Sequence, residues 1–508
     1  MQRMIRIAPV LVVSLCFGLP ASAAPVSVKN VAELKSAIAN AKAGDVITMA
    51  AGTYTIAQKV SVSKAGTATA PIVLRAAKLG DAKIRFNTAE GFKVGAPYWR
   101  FVNLDIQGVC AAHSSCEHAF HIVGRANNTI VRGCRLHDFN AMIKGNGEPI
   151  GSAGAYVWPN DVLIENTEFF NASVRKTANP VTPIDVVGGR RWIIRGNYIH
   201  DHAKGQGNTI SYAAFLKGNS RGGLFDRNLV VCEKLHKGQV RLGLSFGGGG
   251  SSPAKICEGG TCDPEHQNGI MRNNIIVNCP ADVGIYLNKA KNSKIFNNTI
   301  FNSSGVDVRF SSSSAELKNN ILSGKIRSRE SGAVNKGTSN LENVTLANWK
   351  AWFKNPAVAD FGLKSGASFV DKGLTVAAVQ WDFCNNDRND GKNDKGAVEF
   401  DGDGPCNTTR PFVGAGPKPK PDAGAPVKDA GGPKPEAGVP PKGDAATSGD
   451  SGGIAADASA PISDGAIAGD GVAKTDDGGC GCRAGGGRSS AALLALGFLA
   501  LIFIRRRA

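Results

Sequence analysis

Cysteine and histidine offer the first candidates for chemistry in this chain. Cys110-Ala-Ala-His113 and Cys116-Glu-His118 carry ligand types and spacings that could hold zinc. The same two cysteines lie close enough to close a small loop as a disulfide. So do Cys257 and Cys262, while Cys384 and Cys406 could staple the end of a domain. In an exported chain the disulfide reading, with the histidines at the surface, is favoured. Of 12 cysteines, nine remain once Cys16, Cys480 and Cys482 are set aside, so at least one thiol stays free or pairs outside the chain. Gly247 to Gly250 lacks the Lys-Ser/Thr pair and following helix of a phosphate loop, and reads as the rim of a loop. Spacing assigns neither a Ser/His/Asp triad nor a glycosidase carboxylate pair. The Asp-rich stretch from Asp382 to Asp394 reads as turns.

Charge narrows the partner. The formal net charge is +17, and the body carries basic clusters such as Arg190-Arg191 and Lys325 to Arg329. A surface of this sign attracts polyanions. Both ends of the chain indicate export, so the expected partner is an acidic polysaccharide or an anionic envelope surface, and no nucleic acid.

Residues 1–23 read as a signal peptide. Arg3 and Arg6 give the positive start, Ile7 to Leu19 the short apolar stretch, and Ala21-Ser22-Ala23 the small residues for cleavage. At the other end, residues 411–479 are rich in Pro, Gly, Ala, Asp and Ser. They hold too few apolar side chains to offset chain entropy, and read as a disordered tether. Residues 480–508 contain Cys480-Gly-Cys482, an apolar run from Ala491 to Ile504 and Arg505-Arg-Arg507. The arginines favour the cytoplasmic side. This order resembles the myxobacterial C-terminal sorting signal. The resemblance implies anchoring at the cell surface, or release after processing at Cys480 and Cys482 by a sortase-like membrane protease.

Residues that could act together must be positioned by the elements between, and a repeat supplies them. An apolar–x–x–Asn unit recurs as Ile164-Glu-Asn166, Ile194-Arg-Gly-Asn197, Phe225-Asp-Arg-Asn228, Met271-Arg-Asn-Asn274, Ile295-Phe-Asn-Asn298 and Leu317-Lys-Asn-Asn320. Ile130-Val-Arg-Gly-Cys134 fits the frame with Cys for Asn. From 134 the spacings are 32, 31, 31, 46, 24 and 22. A solenoid coil needs about 20–30 residues, so the longest interval implies a large loop, centred on Gly247 to His266. Within each unit, apolar and polar residues alternate at period two, as in a half-buried strand. The expected fold is all-β: a right-handed parallel β-helix over residues 24–410, with equivalent asparagines stacked in one column. Val31 to Ala43 is expected as a helix capping the open N-terminal edge, and the far end is expected to close near Val398-Glu-Phe400. Cys232 and Cys279 would fall on neighbouring coils, within reach of a bridge if their Cα atoms come close enough; Cys134 is a free-thiol candidate.

The opening residues sharpen this. Ala32-Glu-Leu34, Ala43-Gly-Asp45-Val-Ile47, Ala51-Gly-Thr-Tyr54, Ala70-Pro-Ile72 and Leu74-Arg-Ala76 resemble the start of the chondroitinase-B and alginate-lyase β-helices, polysaccharide lyase family 6. Downstream, Leu216-Lys217-Gly-Asn219 and Val240-Arg241-Leu-Gly243 fall where such lyases carry Ser-Lys-Ser and Arg-His-Gly. The resemblance implies that Lys217 takes the C5 proton of a uronic acid and that Arg241 assists departure of the O4 oxygen. In the family, calcium neutralises the uronate carboxylate. Here Ile210-Ser-Tyr-Ala-Ala214 stands where two glutamate ligands are expected, so calcium stays open as a cofactor without its glutamates. Asp185, Arg190, Arg191, His266 and Arg309 are the candidate substrate-binding residues, with Asp307 beside them. By coil arithmetic, Asp185 lies 12 residues before Asn197 and Lys217 lies 11 before Asn228, which places them on adjacent coils at nearly the same angle.

The expected function is thus an exported, surface-held protein that binds or cleaves acidic polysaccharide, as a lyase for uronate-containing glycan acting as a monomer. The alternative is a non-catalytic, adhesin-like β-helix that binds glycan.

Overall fold

The computed structural model describes residues 25–150, 155–364, 366–388, 391–400 and 406–409. The stretches expected as signal peptide (1–23), tether (411–479) and sorting segment (480–508) lie outside the described residues. Strands stack in three long parallel sheets, one of twelve strands and two of ten, each ordered so that successive coils are neighbours. One coil runs Ile193–Arg195, Tyr198–His200 and Ile210–Lys217; the next runs Leu224–Asp226, Leu229–Val231 and Val240–Phe246.

The corner between the first two strands of each coil explains the repeat. Its first residue adopts left-handed φ at Asn103, Gly133, Asn166, Gly196, Arg227, Asn273, Asn297 and Asn319. Glycine and asparagine tolerate that conformation best, which is why these two types dominate there. The next residue turns its side chain inward to form the column. Asn197 Nδ2 donates to Asn228 Oδ1 at 3.0 Å, Asn228 to Asn274 at 2.9 Å, Asn274 to Asn298 at 2.9 Å, Asn298 to Asn320 at 2.9 Å and Asn320 to Asn340 at 2.8 Å. Each Oδ1 also accepts the backbone N–H of the asparagine one coil before, as in Asn228 N to Asn274 Oδ1 at 3.0 Å. The column continues downward through Thr167, whose backbone N–H donates to Asn197 Oδ1, and Cys134, whose N–H donates to Thr167 Oγ1. Asn166, expected in the column, is instead the left-handed corner residue, one position early.

Inside, apolar residues of the repeat stack directly in register: Val131, Ile164, Ile194, Phe225, Met271, Ile295 and Leu317. All are buried in one continuous core. At the N-terminal end, Asn30 caps the helix Val31–Ala39, accepting from the Glu33 N–H, and Leu34 and Ile38 face the core. The helix is shorter than expected; Asn40 ends it, and Ala41 is buried beyond it.

The far end differs from expectation. The coils stop at Lys325–Arg329 and Ala333–Asn335. The chain then folds back along the flank of the solenoid. Trp349, Phe353, Phe361, Phe369, Phe383 and Val398 form a second core against Leu229, Val231, Ile275 and Val277, outward-facing residues of the second sheet. Val398 therefore belongs to a side cap rather than to a closing strand. The exposed last strands carry Lys325, Arg327 and Arg329, charges that discourage edge-to-edge pairing.

Four disulfides close: Cys110–Cys116, Cys232–Cys279, Cys257–Cys262 and Cys384–Cys406. The Cys232–Cys279 Cα atoms are 5.1 Å apart, on neighbouring coils. Cys134 is the free cysteine among the described residues, with its thiol pushed up to about 12 by burial.

Replacing Asn274 with alanine would strand the backbone N–H of Asn228 and the carbonyl of Phe225, both buried. The expected loss is about 3 kcal/mol or more, read as a lowered urea midpoint. An unchanged midpoint would show that the column is not a source of stability.

Candidate functional site

The third sheet turns one face to solvent, and successive strands align its outward residues. One row reads Lys144, Asp185, Phe215, Ser245, Tyr286 and Asp307. Two residues further along the strands, Lys217 follows Val187, and Arg309 follows Asn288. Leu216 points into the core between outward Phe215 and Lys217, as strand alternation requires.

Of these, Asp185, Phe215, Lys217, Tyr286, Asn288 and Arg309 line one cleft with Lys204, Tyr212 and Gly248 to Gly250. The loop from Gly247 to Glu265 forms its wall. Gly247 passes so close to the carbonyl of Asn288 that a Cβ there would clash, and Gly248 lies over Phe215 and Lys217. The loop is tied down from behind: Gly218 N–H donates to Glu265 at 2.7 Å, and Asn219 donates to the Glu258 carbonyl at 2.7 Å.

Within the cleft, Lys217 Nζ donates to the Gly249 carbonyl at 2.9 Å and sits 4.8 Å from the centre of the Phe215 ring. Asp185 is buried and paired with Lys144 at 2.9 Å. Arg309 donates to the Tyr286 hydroxyl at 3.0 Å and to Glu330 at 2.8 Å. Burial works against the Arg309 charge, but the bonds to Glu330 and Tyr286 outweigh it and raise its pKa. Burial raises the Tyr286 pKa despite the Arg309 contact, so the phenol holds its proton at neutral pH. Asn288 Nδ2 reaches the same hydroxyl at 3.4 Å, while its buried Oδ1 accepts no hydrogen bond among the described residues. Tyr212, Phe215 and Tyr286 give the cleft an aromatic floor, with Tyr212 5.4 Å from Phe215 and 6.4 Å from Tyr286.

Asp185, Lys217 and Arg309 thus come together. Other expected members do not. Arg241 is fully buried, and its guanidinium donates to the carbonyls of Gly238 at 2.9 Å, His236 at 3.0 Å and Cys232. The strands lose their alternation at Ala213 and Gly243: Leu242 lies in an outer cluster with Tyr286, and Leu244 in the main core. Arg241 therefore faces away from the cleft and holds the 232–238 turn. His266 is buried and stacks on Phe246 at 4.2 Å, bonded to Ser220 at 2.7 Å; burial lowers its pKa to about 3. Arg190 pairs with Glu258 at 2.5 Å and Arg191 with Asp161 at 2.6 Å, in a different cleft at the coil corners. Asp307 is buried between Arg327 and Arg329.

Tyr286, Asn288, Tyr212 and Lys204 went unread in the sequence. Tyr286 and Asn288 sit one coil before Asp307 and Arg309, so counting back would have found them. Lys204 comes from the segment before a strand, where no repeat reaches.

Calcium takes six to eight oxygen ligands. Among the described residues no three Asp, Glu, His or Cys side chains converge on a metal-sized site, and the carboxylate of Asp185 is committed to Lys144. The cleft's donor set does not fit calcium.

Three parallel sheets wound from a corner-stacked repeat make this a right-handed parallel β-helix. Residues 20–179 match a family described as Pel9A-like, right handed beta helix region, and residues 251–351 match one described as right handed beta helix region. Similar solved structures include pectate lyase Pel9A, 14% identical over 72% of this chain and 90% of that one, TM-score 0.49. A rhamnogalacturonan lyase is 14% identical over 67% of this chain and 97% of its own, TM-score 0.46. An alginate lyase from Paenibacillus is 16% identical over 62% and 99%, TM-score 0.35. No curated protein matches the chain.

The two lysine-or-arginine positions should part in behaviour. Arg241→Ala strands the buried Cys232 carbonyl, removes the bonds to the His236 and Gly238 carbonyls and empties a buried site, and is expected to cost about 3 kcal/mol. Lys217→Ala, at the cleft surface, is expected to cost less than about 1 kcal/mol. Thermal melts of both variants check the contrast, and equal losses would refute it.

Proposed function

We propose that the Lys217 cleft cleaves a uronate-containing polysaccharide by β-elimination. The observation that carries this reading is the convergence of Lys217, Lys204, Arg309 and Tyr286 on one solvent-facing cleft with an aromatic floor. Arg309 and Lys204 supply positive charge for the uronate carboxylate, the task that metal performs elsewhere. With that charge neutralised, the C5 proton becomes acidic enough for Lys217, in its neutral amine form, to remove it. The C5 electron pair forms the C4–C5 double bond as the C4–O4 bond breaks. The Tyr286 hydroxyl, polarised by Arg309, gives its proton to the departing O4. This role replaces the one expected of Arg241. The products are a chain with a new hydroxyl end and a chain ending in an unsaturated uronate.

One observation favours a second reading, a non-catalytic glycan-binding protein. The Lys217 ammonium is held by the Gly249 carbonyl, an arrangement suited to a fixed cation.

Alginate, polygalacturonate, chondroitin, dermatan and heparinoids, followed by absorbance of the unsaturated uronate, separate the two. Turnover of one of them is expected. Lys217→Ala should lower it by about 10²–10⁴-fold, and Tyr286→Phe should lower kcat more than it raises KM. Chelator should leave the rate unchanged. Full activity in Lys217→Ala would remove that residue as the base, and binding without product would favour the second reading.

The same proposal places the protein at the cell surface. Four disulfides suit an oxidising compartment. Residues 480–508 supply the apolar anchor, with Cys480 and Cys482 as the site for a sortase-like protease. Deleting 480–508 should send the protein to the medium; an unchanged envelope fraction after deletion would contradict this.

A further inference from the structure

The loop that walls the Lys217 cleft also borders a second one. Its Glu258 and Gly259 face the coil corners, where Arg125, Tyr156, Trp158 and Arg191 line a separate depression. Trp158 follows the short strand Ala155–Val157, which pairs antiparallel with Glu148–Ile150. The ring belongs to none of the apolar cores, yet it is firmly held. Its Nε1 donates to the Ile256 carbonyl at 3.2 Å. The backbones of Gly147 and Gly188 lie against it so closely that a Cβ on either would clash with the indole. Tyr156 lies 5.9 Å away, tilted by 32°. Two half-buried aromatic rings fixed at a solenoid corner, with no core to serve, form a platform for an amphipathic ligand.

The polar groups around the platform are cationic. Arg190 and Arg191 are matched by Glu258 and Asp161. The Arg125 guanidinium is exposed and makes no ion pair or hydrogen bond among the described residues. That leaves one uncompensated fork of donors beside the rings, suited to a carboxylate. Glu258, the carboxylate lining this cleft, is committed to Arg190, and neither lysine nor histidine lines it. Among the described residues the cleft has no free base with which to take a proton.

We infer that the Trp158 cleft is a second saccharide site that holds an acidic glycan without cleaving it. The apolar ring face of a pyranose lies on Trp158 and Tyr156, and its carboxylate meets Arg125. This goes beyond the reaction proposed for the Lys217 cleft, and its test runs without turnover. The full-length protein carrying Lys217→Ala is titrated with alginate and polygalacturonate oligomers by calorimetry, with dextran as the neutral control. Two sites per chain are expected, with tryptophan fluorescence responding to the second. Adding Arg125→Glu should weaken that second site by about tenfold, the worth of one charged hydrogen bond. Trp158→Ala should abolish the fluorescence response. In the parent protein, Arg125→Glu should leave the rate on short substrates unchanged. If no glycan is cleaved at all, a weakening of one site by about tenfold in Arg125→Glu still supports the inference. Isotherms identical with and without Arg125→Glu and Trp158→Ala would overturn it, as would dextran binding equally well or neither polyuronate binding.

Discussion

The structure depends on one corner. A residue in left-handed φ turns the chain, and the next residue sends an amide inward to the coil above. Because each asparagine bonds both the side chain and the backbone of its neighbour, coils cannot rotate relative to one another without stranding buried polar groups. The angular position of every strand follows from that lock, and so does the face each side chain takes. The cleft inherits its geometry from the ladder: Lys217 and Arg309 come within one depression because every coil between them keeps the same phase.

The column and the core were legible because they obey periods. Val131, Ile164, Ile194, Phe225, Met271, Ile295 and Leu317 stack as the repeat arithmetic required. The slip at Asn166 arose where two asparagine-tolerant positions adjoin, one selected for φ and one for its amide; Thr167 fills the second with a hydroxyl. Asp185, Lys217 and Arg309 could be placed for the same periodic reason. Arg241 could not. Spacing put it in the right strand, but the break in alternation at Ala213 and Gly243 turns it away, and no pattern of residue types announces that break. The demand of the 232–238 carbonyls for a donor is likewise visible only once the turn is folded. Closure at Val398 failed for a related reason: an apolar run says that a face will be buried, not against which surface.

The long interval in the repeat proves as informative as its regular parts. Its glycines are placed where the backbone must pass against Asn288, Phe215 and Lys217, so the absence of side chains sets the depth of the cleft. Its carboxylates reach the other way, Glu265 to Gly218 and Glu258 to Arg190, and fasten the excursion to the coils beneath. A loop held at both edges in this way acts as part of the wall.

The Cys232–Cys279 bond joins the coils on either side of that excursion. Leu235 and the exposed loop residues Ser252 to Lys255 and Gly259 to Thr261 lie inside the ring it closes. A single cut there would leave two chains covalently joined, with the asparagine column above and below the nick still in contact. Hydrolytic damage to the wall would not separate the floor of the cleft, since Lys217 and Tyr286 stand on opposite sides of the cut and the disulfide keeps their coils together. At the cell surface proposed for this protein, such a crosslink would convert a break in the chain into a tolerable wound.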